Sequence, residues 1–168
     1  LNLAGNTLDL SGGKIEMSGS HNLDGITTDN ATTLQINQWA LAFRTDSGTT
    51  TVGNLEMPQV QNPDDNSSNY GSHFDVDNMS LTVGGTSPQF NGADISLNGA
   101  KLEFQGSPTF DNDSSVDVIN GEFILQSGAT INDSSLDFIS STFKPSGTVS
   151  LTGSSHFVFD SGSSVMLE

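Results

Sequence analysis

The fold is decided by residues 119–131, which read Ile119-Asn120-Gly121-Glu122-Phe123-Ile124-Leu125-Gln126-Ser127-Gly128-Ala129-Thr130-Ile131. Related stretches begin at Leu97, Ile139 and Phe159, so the four starting positions are 22, 20 and 20 residues apart. Each stretch holds short alternating apolar runs separated by Gly, Ser, Asn or Pro. A fixed period of this length indicates an architecture built from stacked repeats.

Other residues repeat with the same spacing. Phe123 and Phe143 are 20 residues apart, and so are Ile131 and Leu151. Pairs of serines also recur every 20 residues, at Ser114-Ser115, Ser134-Ser135 and Ser154-Ser155. We therefore expect Phe123 and Phe143 to stack inside the molecule and the serine pairs to lie at a corner.

Each repeat predicts about three short strands. Alternation such as Leu102-Glu103-Phe104 sends one side chain inward and the next outward. One repeat cannot bury its apolar face alone, so the repeats must stack. The sequence thus predicts an all-β fold, a parallel β-helix (β-solenoid) with ~20-residue coils in the C-terminal half. An antiparallel β-sandwich, with turns every ~8–12 residues, is the alternative.

The composition suits a folded but thin-cored molecule. Only 33% of the residues are hydrophobic, which favours the narrow core of a solenoid over that of a compact globule. Leu, Ile, Val and Phe nevertheless make up 42 of the 168 residues. This is about 25%, above the roughly 20% below which highly charged chains stay disordered.

The sequence divides into three segments: 1–25, with short strands; 26–92, irregular and non-repeating; and 93–168, with the solenoid repeats. In the first segment, alternating triplets begin at Leu1, Leu8 and Ile15, seven residues apart. Glycines between the triplets argue against a coiled coil and favour short strands. We interpret the middle segment as an irregular β insertion on the solenoid or as its cap.

The middle segment contains the single Trp, the single Arg and the single Tyr of the chain, namely Trp39, Arg44 and Tyr70. Irregular segments on a rigid scaffold often carry binding residues. These three residues are therefore the predicted ligand-binding residues, although for Trp39 a place in a small core of the insertion is the favoured alternative.

Charge excludes several classes of partner. The chain has 20 acidic residues against four basic ones, for a net charge of −16. Nucleic-acid binding requires clusters of Lys and Arg, so it is strongly disfavoured, and attraction to anionic membranes is excluded on the same ground. The sequence contains no run of about 18 apolar residues, so we predict no membrane insertion. The acidic surface is expected mainly to keep a long molecule soluble.

No motif predicts a nucleophilic enzyme, because the three histidines lie outside any Ser/His/Asp signature. Acidic pairs at i, i+2 spacing, Asp75/Asp77 and Asp111/Asp113, would share a strand face or a turn. Asp111 and Asp113 are the candidate Ca²⁺ ligands, although neither the EF-hand nor the glycine-rich Ca²⁺ repeat is present. Apart from Ca²⁺, no cofactor is predicted.

Two resemblances point to fibres. Residues 6–15 resemble segments of phage tail-fibre shafts. Residues 93–168 resemble the degenerate Ser/Thr/Asn/Gly-rich coils of bacterial surface adhesins and autotransporter passengers. Both resemblances imply an extracellular fibre, on a bacterial cell surface or a virion, that attaches to a glycan or protein receptor on a host surface.

We accordingly predict a structural and adhesive segment and not an enzyme. The short strands of the N-terminal part could need neighbours to bury their apolar faces, which allows a homotrimer. The alternative function is that of a β-helical, tailspike-type enzyme that degrades polysaccharides, a reaction that needs two facing carboxylates at a defined separation.

Overall fold

The computed structural model describes residues 8–10, 13–17, 26–29, 32–36, 41–44, 49–61, 69–70 and 73–167, with side chains for 28–29, 32–35, 50–59 and 73–167. Within these residues the chain forms strands and no helix. In chain order the strands are β1 (Leu8–Leu10), β2 (Gly13–Met17), β3 (Ile26–Thr28), β4 (Thr32–Ile36), β5 (Leu41–Arg44), β6 (Thr49–Val52), β7 (Asn54–Met57), β8 (Val60–Gln61), β9 (Asn69–Tyr70), β10 (His73–Asp77), β11 (Ser80–Val83), β12 (Gln89–Asn91), β13 (Asp94–Asn98), β14 (Lys101–Phe104), β15 (Thr109–Asp111), β16 (Ser115–Ile119), β17 (Glu122–Leu125), β18 (Ala129–Asn132), β19 (Ser135–Ile139), β20 (Thr142–Pro145), β21 (Val149–Thr152), β22 (His156–Phe159) and β23 (Ser164–Val165).

Three long parallel sheets run along the molecule. Sheet 1 has the order β22-β19-β16-β13-β10-β5, sheet 2 the order β23-β20-β17-β14-β11-β6, and sheet 3 the order β21-β18-β15-β12-β7-β4-β2. Successive strands along the chain visit sheets 1, 2 and 3 in turn, so three strands make one coil. The result is a β-solenoid of about 5 turns with ~21-residue coils. The predicted all-β solenoid is confirmed, and the antiparallel sandwich is wrong.

The parallel pairing crosses the predicted segment boundary at 92/93. β10 pairs with β13 on one side and with β5 on the other. The step from Leu41 to its partner Phe74 is 33 residues, because the chain leaves the coil to form the antiparallel pair β8–β9. Coil stacking therefore begins before residue 93, and steps of 20 or 21 residues between paired strands of sheet 1 begin at His73, which pairs with Asp94.

The core is a continuous apolar column enclosed by the three sheets. Alternation decides which side chains enter it, as in β14, where Leu102 and Phe104 are fully buried between outward residues. Burying each such side chain contributes about 1.5–3 kcal/mol. Six phenylalanines are less than 2% exposed: Phe74, Phe90, Phe104, Phe110, Phe123 and Phe138.

Two predicted ladders are confirmed. Phe123 pairs with Phe143 in register, and their ring centroids are 6.1 Å apart. Ile131 likewise pairs with Leu151. Stacking large side chains in this way lets a chain of low apolar content fill its core.

A third set of markers falls out of register by one residue. Leu97 pairs with Val118, and Val118 in turn pairs with Phe138, which pairs with Phe159. Ile119 instead lies opposite Asn98. The expectation that Leu97, Ile119, Ile139 and Phe159 are equivalent positions is therefore wrong at Ile119 and Ile139, which face outward.

The variable length of the links at the corner between sheet 3 and sheet 1 explains this one-residue shift in register. These links alternate between two residues (92–93 and 133–134) and three residues (112–114 and 153–155). The short link 92–93 has one residue at positive φ, Gly92 (63°), whereas 112–114 has two, Asn112 (52°) and Asp113 (62°). Asn and Asp tolerate this left-handed conformation better than other non-glycine residues, so the extra residue adds little strain.

The serine pairs do lie at this corner, as predicted. Ser114 is 1% exposed; its hydroxyl donates to the Asp111 carbonyl (2.7 Å) and accepts from the Ala93 N–H (3.1 Å). A hydroxyl that satisfies buried backbone groups explains why serine recurs here. In the last coil the residue equivalent to Ser114 is Ser155, whose hydroxyl accepts a hydrogen bond from the Ser134 N–H at 3.2 Å.

The last coil leaves part of its stacking surface open. β21, β22 and β23 are the outermost strands of their sheets. Several of their apolar side chains, and those that follow β23, are more than a third exposed: Leu151, Val158, Phe159, Val165, Met166 and Leu167.

Candidate binding surface

On the outward face of sheet 1, one column of side chains holds three carboxylates, and a neighbouring column holds one carboxylate beside a histidine. In one column, Asp75, Ser96, Asp117 and Asp137 lie in register on β10, β13, β16 and β19. In the other, His73 pairs with Asp94. Parallel strands lie about 4.8 Å apart, so carboxylates in one column are close neighbours.

Asp117 and Asp137 form the tightest like-charge pair of this face, because they are direct partners on β16 and β19. Burial raises the pKa of Asp117, and the negative charges of Asp137 and then Asp94 raise it further. Oδ1 of Asp137 is buried and has no hydrogen-bond partner among the described residues. Both observations indicate that the pair destabilises this face when both groups are ionised.

His73 joins two coils through its ring. Nε2 lies 2.8 Å from Asp75 Oδ1, and Nδ1 lies 2.8 Å from Asp94 Oδ2 on the next coil. The side chain of His73 remains 32% exposed. This contact was not predicted from the sequence, although the 21-residue separation of His73 and Asp94 matches the coil length.

On the outward face of sheet 2, two glutamates form ion pairs with two lysines. Lys101 Nζ lies 2.8 Å from Glu103 Oε2, and Lys144 Nζ lies 2.9 Å from Glu122 Oε1. The hydrogen bond from Lys101 lowers the pKa of Glu103. Such exposed pairs stabilise a fold by only about 0–1 kcal/mol, so their main effect is on the charge pattern.

The outward face of sheet 3 is a ladder of amides and hydroxyls. Asn132 donates to Asp111 Oδ1 (3.1 Å) and accepts from the Thr152 hydroxyl (2.8 Å). Asn112 donates to Asn91 Oδ1 at 2.7 Å. These bonds join successive coils along the axis and fix the outer side chains in place.

Asp111, one of the two predicted Ca²⁺ ligands, is already hydrogen-bonded to Asn132 within this ladder. Asp113 lies beyond the strand in the link 112–114, where its φ is 62°. Among the described residues no group of three or more His, Cys, Asp or Glu side chains could hold a metal ion. Ca²⁺ binding stays a prediction.

Two grooves follow the corners of the solenoid. The larger, about 590 Å³, runs along the sheet 1–sheet 2 corner and is lined by Asn78, Asn120, Lys101, Glu122 and their neighbours. Its floor contains Gly121, where a Cβ would lie 2.4 Å from the Ala100 carbonyl oxygen. The close approach of successive coils thus explains why a glycine stands at position 121.

The smaller groove, about 230 Å³, lies at the sheet 3–sheet 1 corner. It is lined by Asp113, Asp133, His156 and four serines. Asp133 Oδ1 accepts from the Ser154 N–H at 2.8 Å, so this carboxylate caps the next turn.

The predicted ligand-binding residues fall in different places. Arg44 ends β5, where its backbone pairs with that of Asp77, and Tyr70 lies in β9, paired with Val60. Trp39 lies outside the described residues, as do the side chains of Arg44 and Tyr70. Their role in binding stays a prediction.

No protein-family model, curated protein or solved structure matches the chain. Among the described residues, no helix is long and apolar enough to cross a membrane.

Proposed function

We propose that this chain is a structural and adhesive segment of an extracellular fibre, borne on a bacterial surface or a virion, that mediates attachment to a host cell surface or glycan. One observation carries the proposal: three parallel sheets run in register through successive coils. Every coil is hydrogen-bonded to the next, so bending the axis would break many bonds at once. Such an element supplies stiffness and length at a low apolar content.

The surface chemistry supports a polar partner. Amides and hydroxyls face outward in regular columns on sheet 3, at Asn91, Asn132 and Thr152. These groups both donate and accept hydrogen bonds, as the hydroxyls of a glycan do. Of the sequence-predicted contact residues, Tyr70 lies in the β8–β9 pair that interrupts the coil, whereas Arg44 ends β5 in sheet 1. Trp39 lies outside the described residues. The receptor is proposed to contact these three residues.

The shape and the oligomeric state can be measured together. Light scattering coupled to small-angle X-ray scattering separates a rod from a globule, and a 17.6 kDa monomer from a homotrimer. A compact, globular particle would refute the fibre role.

Attachment needs a separate experiment. Fluorescently labelled protein would be applied to a glycan array and to intact host cells, alongside the Arg44→Ala and Tyr70→Ala variants. We expect binding that both variants weaken while their thermal unfolding stays unchanged. The matched control is Gln105→Ala, a change of one exposed side chain in the link after β14, outside both the sheet 3 face and the β8–β9 pair.

A polysaccharide-degrading enzyme is the second candidate, and the Asp117–Asp137 pair favours it. A carboxyl of raised pKa beside a second carboxyl is the combination that glycoside hydrolysis uses. The pair lies on the outward face of sheet 1, outside both grooves described above. Release of reducing ends from polysaccharides by the wild-type chain, abolished in Asp117→Asn and Asp137→Asn, would favour the enzyme over the adhesive segment. The sequence-predicted pair is tested in the same assay with Asp75→Ala and Asp77→Ala.

A further inference from the structure

His73 occupies a particular place in the solenoid. It is the first residue of β10, where the chain re-enters the coil after the β8–β9 pair. Its ring reaches one carboxylate on its own strand, Asp75, and one on the neighbouring coil, Asp94. Both contacts are 2.8 Å long. The ring is thus a polar cross-link between two coils.

The two contacts require a particular charge state. An ionised carboxylate only accepts hydrogen bonds, so each ring nitrogen must carry a proton to donate to its partner. A neutral imidazole has one N–H and one lone pair. Deprotonation would therefore place a nitrogen lone pair against the oxygen of Asp75 or Asp94, and one of the two contacts would be lost.

The charged neighbours favour the protonated ring. On β10, Asp77 lies on the same outward face as Asp75, and on β16 Asp117 continues the acidic face beyond Asp94. On the other side of β10, β5 contributes Arg44, whose backbone pairs with Asp77. Burial alone would lower the pKa of His73, but the hydrogen bond to Asp94 and the charges of Asp75 and Asp94 outweigh it and raise the pKa above 6.5.

We propose that protonated His73 is an acid-favoured latch that holds β10 onto β13 at the point where the chain returns from the β8–β9 pair. A histidine whose pKa is higher in the folded than in the unfolded state stabilises the fold fully below about 6.5. The stabilisation is lost as the pH rises through the folded-state pKa. The latch would keep these coils joined in acidic surroundings and loosen them in alkaline ones.

The test has two readouts. The His73 ring is titrated by two-dimensional NMR, with its signal assigned by its loss in His73→Gln, in the wild-type chain and in Asp94→Asn. Asn keeps the shape and an acceptor oxygen but removes the charge. We expect the wild-type ring to titrate above 6.5 and the Asp94→Asn ring to titrate at lower pH.

Thermal unfolding supplies the second readout. We expect His73→Gln to lower Tm by about 2–4 °C at pH 5.5, the shift typical of a modest loss in a chain of this size, and by less than half as much at pH 9. The matched control is His156→Gln, since His156 lies in the same column but its Nδ1 contacts the Ser154 carbonyl, at 3.3 Å. The effect of this variant on Tm is the baseline against which the pH dependence of the His73→Gln effect is measured.

Three outcomes would overturn the latch. They are a His73 titration that Asp94→Asn leaves unchanged, a titration below 6.5 in the wild-type chain, and a His73→Gln effect on Tm that is equal at pH 5.5 and pH 9. None of these outcomes bears on attachment, so the latch and the proposed function can fail independently.

Discussion

Phe138 and Phe159 stack ring on ring on successive coils, with centroids 4.7 Å apart and planes inclined by only 7°. Phe138 is fully buried, whereas Phe159, on the last coil, is 37% exposed. The same stacking recurs between Phe90 and Phe110, at 4.8 Å and 11°. A solenoid of low apolar content concentrates its packing in such ladders, so each buried ring should matter more than its share of the sequence suggests.

The two rings provide a matched pair of variants. Phe138→Ala should lower the free energy of unfolding by about 3–5 kcal/mol, because it removes a buried ring and leaves a cavity between coils. Phe159→Ala should cost clearly less, since its ring already meets solvent on one side. Chemical denaturation of both variants measures the difference. Equal losses would contradict the stacked core.

Because successive coils approach closely, adding a methyl group at a tightly packed glycine should destabilise the fold. A Cβ at Gly106 would lie 2.2 Å from the carbonyl oxygen of Gly85, which is backbone and cannot swing aside. We expect Gly106→Ala to destabilise the fold by about 1–3 kcal/mol, as overpacking does. At Gly162 the nearest atom is the Ser140 hydroxyl, at 3.0 Å, so Gly162→Ala is the control and should cost less. Thermal unfolding of both variants would decide, and the reverse order would contradict the coil spacing.

The ladders show how far the sequence alone predicts this fold. Period, strand number per coil and the Phe123–Phe143 pairing all follow from residue spacing, because stacking forces equivalent residues into columns. The register at Ile119 could not be predicted in this way. It depends on whether a corner link has two or three residues, and Asn112 and Asp113 adopt the conformation that Gly92 adopts elsewhere. Composition does not distinguish these cases.

The candidate surface was harder to predict than the fold. His73 and Asp94 are far apart in the sequence and meet only because one coil separates them. The period measured from residue 97 onward does not fix the register of this pair, because the preceding step between partners, from Leu41 to Phe74, is 33 residues. Spacing identifies neighbours only after the coil length is known.

The Asp117–Asp137 pair predicts a charge-dependent gain in stability. Because burial and its acidic neighbours hold the folded-state pKa of Asp117 above 3.8, the free energy of unfolding falls as the pH rises through that folded value and stays lowered at pH 7. Asp137→Asn removes the neighbouring charge. It should raise stability at pH 7 by about 0.2–1 kcal/mol, the scale on which side-chain pairs between neighbouring strands act, since like charges directly opposite each other are destabilising.

The gain should disappear at pH 3, where Asp117 is protonated in either protein. Asp113→Asn is the control, because it removes the same formal charge from an exposed link. Denaturant midpoints at pH 7 and pH 3 measure both effects. A gain of equal size in the control would assign the effect to net charge rather than to the pair.

Calcium offers the last prediction. Asp111 already accepts a hydrogen bond from Asn132, and the described residues hold no group of three or more His, Cys, Asp or Glu side chains fit for a metal. Ligand binding to the folded state would raise Tm in proportion to the logarithm of its concentration. If Asp111 and Asp113 bind Ca²⁺ as the sequence predicts, Tm measured by calorimetry should be higher in Ca²⁺ than in chelator, and Asp111→Asn or Asp113→Asn should remove the difference. The same Tm in Ca²⁺ and in chelator would contradict the site.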